Sequence, residues 1–161
     1  MASYTLPPDH LSAGADYLAA LRNLGLDPEG LLWAYDRTIS EFALVLITGQ
    51  FDFVGPTEIY QTLTRAYNVA ATPEAISPFI VRLHSPAQEI VRELRVAYGW
   101  DIRVDPLEAA PPDLKVDIQL NVGDLTFELA WVYHLRQRKI APAERARRWR
   151  RFKGNVEALA A

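Results

Sequence analysis

The sequence predicts a mixed α/β fold. It is expected to be one five-stranded sheet, three parallel strands from two strand–helix–strand units plus a C-terminal antiparallel hairpin, packed with helices. Three observations lead there. Two short apolar runs, Glu41–Thr48 and Phe79–His84, have no wet face and read as strands covered on both sides. Helical spacing fills the stretches after each of them. Residues 114–133 alternate apolar and polar on either side of Gly123-Asp124, the signature of a hairpin.

Taken in order, the first element is a helix from Asp9, its expected N-cap, to about Leu24, with Leu11, Leu18 and Leu21 on one side and Gly25 to stop it. Asp27-Pro28-Glu29 repeats the start signal, so a second helix carrying Leu31, Leu32, Trp33 and Tyr35 is expected to end near Arg37. The strand Glu41–Thr48 follows. Gly55-Pro56 opens a helix to about Val69, with Ile59, Leu63, Ala66 and Tyr67 at helical spacing. Thr72-Pro73-Glu74 starts one short turn that Ser77-Pro78 interrupts, and Phe79–His84 is the second strand.

Ser85-Pro86-Ala87-Gln88 has the form of a capping box, and its helix runs to about Tyr98. Trp100–Val104 is the third expected strand, and Glu108–Asp113 a loop inside the domain. In the hairpin, a type II′ turn at Gly123-Asp124 sets Leu120 opposite Phe127, Ile118 opposite Leu129 and Val116 opposite Trp131. Its other face, from Lys115 and Asp117 to His134, is mixed and polar. A last helix spans Pro142 to about Ala160.

At 161 residues, half of them apolar, residues 1–161 are expected to form a single globular domain. No cysteine is present, which excludes thiol catalysis, disulfides and thiolate metal sites. The longest purely apolar run, Phe42–Ile47, falls far short of the ~20 residues that cross a bilayer. The N-terminus has no secretory pattern, so a cytoplasmic location is expected.

Net charge is −3, but it is unevenly placed. Residues 1–134 hold 8 Lys/Arg against 18 Asp/Glu, and residues 135–161 hold 9 against 2. An acidic body therefore carries a basic C-terminal segment, a pattern that points to acidic partners, nucleic acid or self-pairing. At 100° per residue, Ala146, Trp149, Phe152, Val156 and Leu159 line one stripe of the last helix. Arg147, Arg148, Arg150 and Arg151 fan over the other side, and Arg145 and Lys153 flank the stripe. These six cations are the candidate binding residues.

A small-molecule enzyme would instead use the carboxyl ends of the parallel strands, with Asp52, His84 and Asp105 as its residues. Ser85 there is better read as a helix cap than as a nucleophile. The three histidines sit in no metal-ligand spacing, and no glycine-rich phosphate loop is present, so no metal or cofactor is implied. The leading expectation is a small binding or regulatory protein acting through protein contacts, its partner an acidic protein surface or a second copy in a homodimer. A nucleic-acid-associated protein and the enzyme are the alternatives, and no membrane is expected as a partner.

Overall fold

The computed structural model describes residues 3–98 and 119–161. Its elements are α1 (Pro8–Leu24), β1 (Gly30–Asp36), β2 (Glu41–Ile47), α2 (Gln50–Val54), α3 (Pro56–Asn68), β3 (Val81–His84), α4 (Glu89–Tyr98), β4 (Gln119–Val122), β5 (Leu125–Glu128), β6 (Val132–Leu135) and α5 (Pro142–Ala160). Short 3₁₀ turns at Pro78–Ile80 and Leu129–Trp131 lead into β3 and β6. The fold is thus the expected mixture of helices on a mixed sheet, with six strands among the described residues. The expected strand Trp100–Val104, the loop 108–113 and the start of the hairpin at 114–118 lie outside the described residues.

The sheet runs β3-β2-β1-β5-β4, and β6 also pairs with β1. Among the described strands only β2 and β3 are parallel; they form the strand–helix–strand unit that α2 and α3 connect. The largest correction is at residues 27–37. The expected second helix is the strand β1, which pairs antiparallel with β2 along its whole length from Gly30↔Ile47 to Asp36↔Glu41. The capping signals mislead because the side chains of Asp27 and Glu29 have tertiary partners, and burial overrides local propensity. In strand form Leu31 and Trp33 enter one core while Leu32 and Ala34 enter the other, and all four are fully buried.

The hairpin register is as expected where it is described: Leu120 faces Phe127, Gly123 takes φ 58° and Asp124 does not, the combination of a type II′ turn. The second arm is not continuous, however. After Glu128 a 3₁₀ turn breaks it, so β5 pairs with Tyr35 and Asp36 and β6 pairs with Gly30, Leu31 and Leu32.

Two cores result. On one face α1, α3 and α5 pack through Leu21, Ile59, Leu63, Trp149 and Phe152 onto Leu31, Trp33, Leu44 and Leu46. On the other, α4 brings Val91 and Leu94 onto Val45, Ile47, Phe127 and Val132. At β3, the Tyr60 hydroxyl donates to the Val81 carbonyl at 2.6 Å and accepts from the Leu83 N–H at 3.3 Å.

Candidate functional site

The last helix is placed by the stripe that its sequence displays. Trp149, Phe152 and Val156 are buried, but Leu159 is 57% exposed, so the packing face ends a turn early. The Trp149 indole N–H and the Lys153 ammonium both donate to Glu58 Oε1 on α3, at 3.2 and 3.1 Å. Those contacts hold the Glu58 carboxyl below its usual value, Lys153 most strongly. Asn155 donates to the Leu24 carbonyl at 2.8 Å and so ties the helix to the end of α1.

The first turn of α5 is tied to the sheet by a buried polar knot. Glu29, just before β1, accepts from the Gly49 N–H at 3.0 Å and pairs with the Arg145 guanidinium at 3.4 Å. Gln50 donates from Nε2 to the Arg145 carbonyl at 3.1 Å. Position 49 must be small for this, because a Cβ there would lie 2.0 Å from an Arg145 nitrogen.

Two clefts meet at that knot and share Glu29, Ile140 and Arg145. The first, about 560 Å³, lies between the 25–29 loop and α5 and is lined by Arg22, Arg145, Arg147, Arg148 and Arg151. The second, about 460 Å³, adds Arg95, Arg136 and Arg138 beside Phe53, Pro86 and Pro142. Among the described residues, eight arginines therefore face four carboxylates, those of Asp27, Glu29, Asp52 and Glu144. Asp27 takes both Arg22 at 3.0 Å and Arg138 at 2.6 Å. Burial works to raise the Asp27 pKa, but these two guanidinium groups outweigh it and hold it low. Glu144 takes Arg148 at 2.9 Å and Arg147 as well, and is held low by Arg148 first. Arg136 and Arg151 have no acidic partner among the described residues.

His134 lies beside this array at the end of β6, buried, with its Nε2 unpartnered among the described residues. Burial, with Arg22 and Arg138 adding to it against Asp27 and the Pro28 carbonyl, pushes its pKa down from 6.5 to about 4. It is therefore neutral near pH 7.

The candidate binding residues are thus divided. Arg145 and Lys153, which flank the stripe, are engaged with acids of the body; Arg147 and Arg148 share Glu144; Arg150 and Arg151 are exposed and in no ion pair among the described residues. Trp149 and Phe152 are buried and present no ring for base stacking.

Of the proposed catalytic set, Asp52 and His84 line different clefts. Asp52 accepts from the Ser85 hydroxyl at 2.5 Å, and the same oxygen of Ser85 accepts from the Ala87 N–H; this closes a turn before α4, which starts only at Glu89, so Ser85 is not the expected helix cap. His84 Nδ1 faces Gln88 Oε1 at 2.6 Å, so Gln88 contacts this ring instead of closing the capping box. Burial holds His84 below the usual imidazole value, Arg82 pushes the same way, and Gln88 opposes them. Asp52 lines the second basic cleft, while His84 lines a separate acidic one, and Asp105 lies outside the described residues. Among the described residues no group of three or more His, Asp or Glu side chains is arranged to hold a metal ion.

Sequence reasoning missed the body's share of the site: Arg22, Asp27, Glu29 and Gly49. Asp27 and Glu29 are adjacent to a proline and mimic a helix start, which concealed their long-range roles. The chain matches no protein family, and no curated protein or solved structure is significantly similar to it. No helix among the described residues is long and apolar enough to cross a membrane.

Proposed function

We propose that this protein is a small binding module that works through protein–protein contacts, docking an acidic segment of a partner protein in the double arginine cleft. The observation that supports this most is the excess of cations over acids along one continuous groove, with Arg136 and Arg151 free of ion pairs among the described residues. The groove has the composition of a protein-docking surface, since Phe53, Ile140 and Pro142 supply an apolar middle between arginines. A carboxylate suits it well, because the planar guanidinium fork takes two oxygens at once.

Nucleic acid fits less well. The carboxylates of Asp27, Glu29 and Glu144 are interleaved with the arginines and repel a continuous run of phosphates. Burial of Trp149 and Phe152 removes the stacking platform that a single strand would use.

The test is fluorescence anisotropy with a labelled glutamate-rich peptide, run in parallel with labelled DNA and RNA, at low and high salt. An Arg147→Glu/Arg151→Glu variant serves as the control. The reading expects the peptide to bind, to weaken with salt and to be lost in the variant. Tighter, steeply salt-dependent binding of nucleic acid would replace this reading with the alternative. Binding of neither at low salt would overturn both.

A further inference from the structure

The acidic body has a cleft of its own. It measures about 610 Å³, lies between α4 and the β4–β5 turn, and is lined by Asp36, Glu89, Glu93 and Asp124 together with Arg82 and His84. Asp36 is already taken, by Thr38 at 2.6 Å and by Arg82 at 3.0 Å. Glu89, Glu93 and Asp124 are exposed and in no ion pair among the described residues. Two further cations stand close by among the described residues: Arg37, which donates to the carbonyl oxygens of Gly123 and Asp124, and Arg92, which lines an adjoining cleft with Glu89 and Glu93.

The placement of the two charged clefts matters more than their strength. Glu29, at the start of β1, lines the basic clefts, and Asp36, the last residue of the same strand, lines the acidic one. Seven strand residues separate these ends by roughly 20 Å. Most of the basic charge comes from α5 on one face of the sheet, with Arg95 of α4 added in the second basic cleft, while the acids Glu89 and Glu93 come from α4 on the other face. The molecule is therefore polarised both along β1 and across its sheet.

We infer that the occupant of the arginine cleft is a second copy of this chain, docked through its acidic cleft, so that copies associate head to tail. This rests on the proposed function and names the partner. In a two-fold contact residue i meets residue j while j meets i, so pairing the basic cleft with the acidic one would need both on one surface, and here they lie at opposite ends of β1. A head-to-tail contact sets unlike charges together and leaves one basic and one acidic cleft open at the two ends. At low salt association then continues from each end unless the copies close into a ring.

The experiment uses full-length protein and sedimentation velocity, at about 0.01 M ionic strength, where the Debye length is about 30 Å, and at about 1 M, where it is about 3 Å. One variant is Arg147→Ala/Arg151→Ala, which weakens the basic cleft; the other is Glu89→Ala/Glu93→Ala, which weakens the acidic one, and neither creates a new charge. All four positions are on the surface of helices, and circular dichroism checks that each variant is folded. Wild type is expected to grow in mass with concentration at low salt and to be monomeric at high salt, and each variant alone to be monomeric. Mixing the two variants should give a complex of about two monomer masses and nothing larger, because each supplies intact the cleft that is weakened in the other.

Wild type that stays monomeric at low salt overturns the inference, as does a mixture that fails to pair or a basic-cleft variant that still assembles. The glutamate-rich peptide separates this failure from that of the proposed function. If it binds the arginine cleft while copies stay apart, the occupant is another protein and only the inference falls. If neither occurs, the proposed function falls with it.

Discussion

The basic C-terminal segment contains two populations of cation that composition alone treats as one. Arg138 and Arg145 have side chains 12% and 17% exposed, and each closes on an acid of the body, Asp27 or Glu29. Arg147 is 72% exposed and reaches only Glu144 on its own helix, one turn back. Arg147 comes two positions after Arg145, and two positions are about 200° on a helix, enough to turn one cation to the sheet and the other to solvent. The inward group fixes the segment to the fold, and the outward group is left for a partner. A charge run is therefore not a single object, and what decides its use is the helical face on which each member lies.

Removing the anchor of α5 breaks the comparison most severely. Phe152→Ala deletes a fully buried ring and should cost about 3–5 kcal/mol in urea unfolding, loosening inward and outward cations together. Arg145→Ala comes next. It leaves Glu29 buried with one donor, the Gly49 N–H, and should cost roughly 2–3 kcal/mol, less than the loss from a fully buried pair because that donor remains. Gly49→Ala should reproduce part of this effect by pushing the Arg145 guanidinium off Glu29.

A pH series probes the inward group without mutation. His134 has a native pKa of about 4 against 6.5 unfolded, so the unfolded chain binds its proton first. Its contribution to stability is complete above pH 6.5, declines as the pH falls toward 4, and levels off below that. Urea midpoints across this range should show the decline, and His134→Gln should reduce its slope.

Lys153→Ala tests a half-exposed pair with Glu58 and should lower the urea midpoint only slightly, because solvent screens the pair. The smallest effect on stability belongs to the outward group. Arg150→Ala and Arg151→Ala should each change unfolding by no more than about 0.5 kcal/mol. If the division holds, peptide affinity should nevertheless fall several-fold in Arg151→Ala, which lines the cleft. A large stability loss at Arg151 would erase the distinction between the two groups.

Much of the fold was legible because periodicity reports burial. The apolar run before Thr48, the alternation around Gly123 and the stripe through Trp149 and Phe152 each appear as a β2, a hairpin and an α5 in the expected places. The region 27–37 failed for a physical reason. Leu31, Leu32, Trp33 and Ala34 are buried consecutively, so they carry no two-residue period, and a run buried on both faces cannot be told from a buried helix by spacing. The flanking Asp-Pro-Glu then tipped the reading the wrong way. The site was half legible for a related reason. The cations of the basic segment were visible in composition, but the acids that hold its inward members stand far earlier in the chain, at Asp27, Glu29 and Glu58.

The Tyr60 hydroxyl at β3 has a bearing on how copies can meet. The Val81 carbonyl and the Leu83 N–H point away from β2, because the adjacent His84 carbonyl points toward it and accepts from Thr48. A single phenol thus stands in for a neighbouring strand at two successive rungs, and an incoming β-strand finds both rungs occupied. The sheet is protected there from the backbone zippering that turns open edges into aggregates. Tyr60→Phe would return both rungs to solvent and make that edge adhesive without changing a single charge.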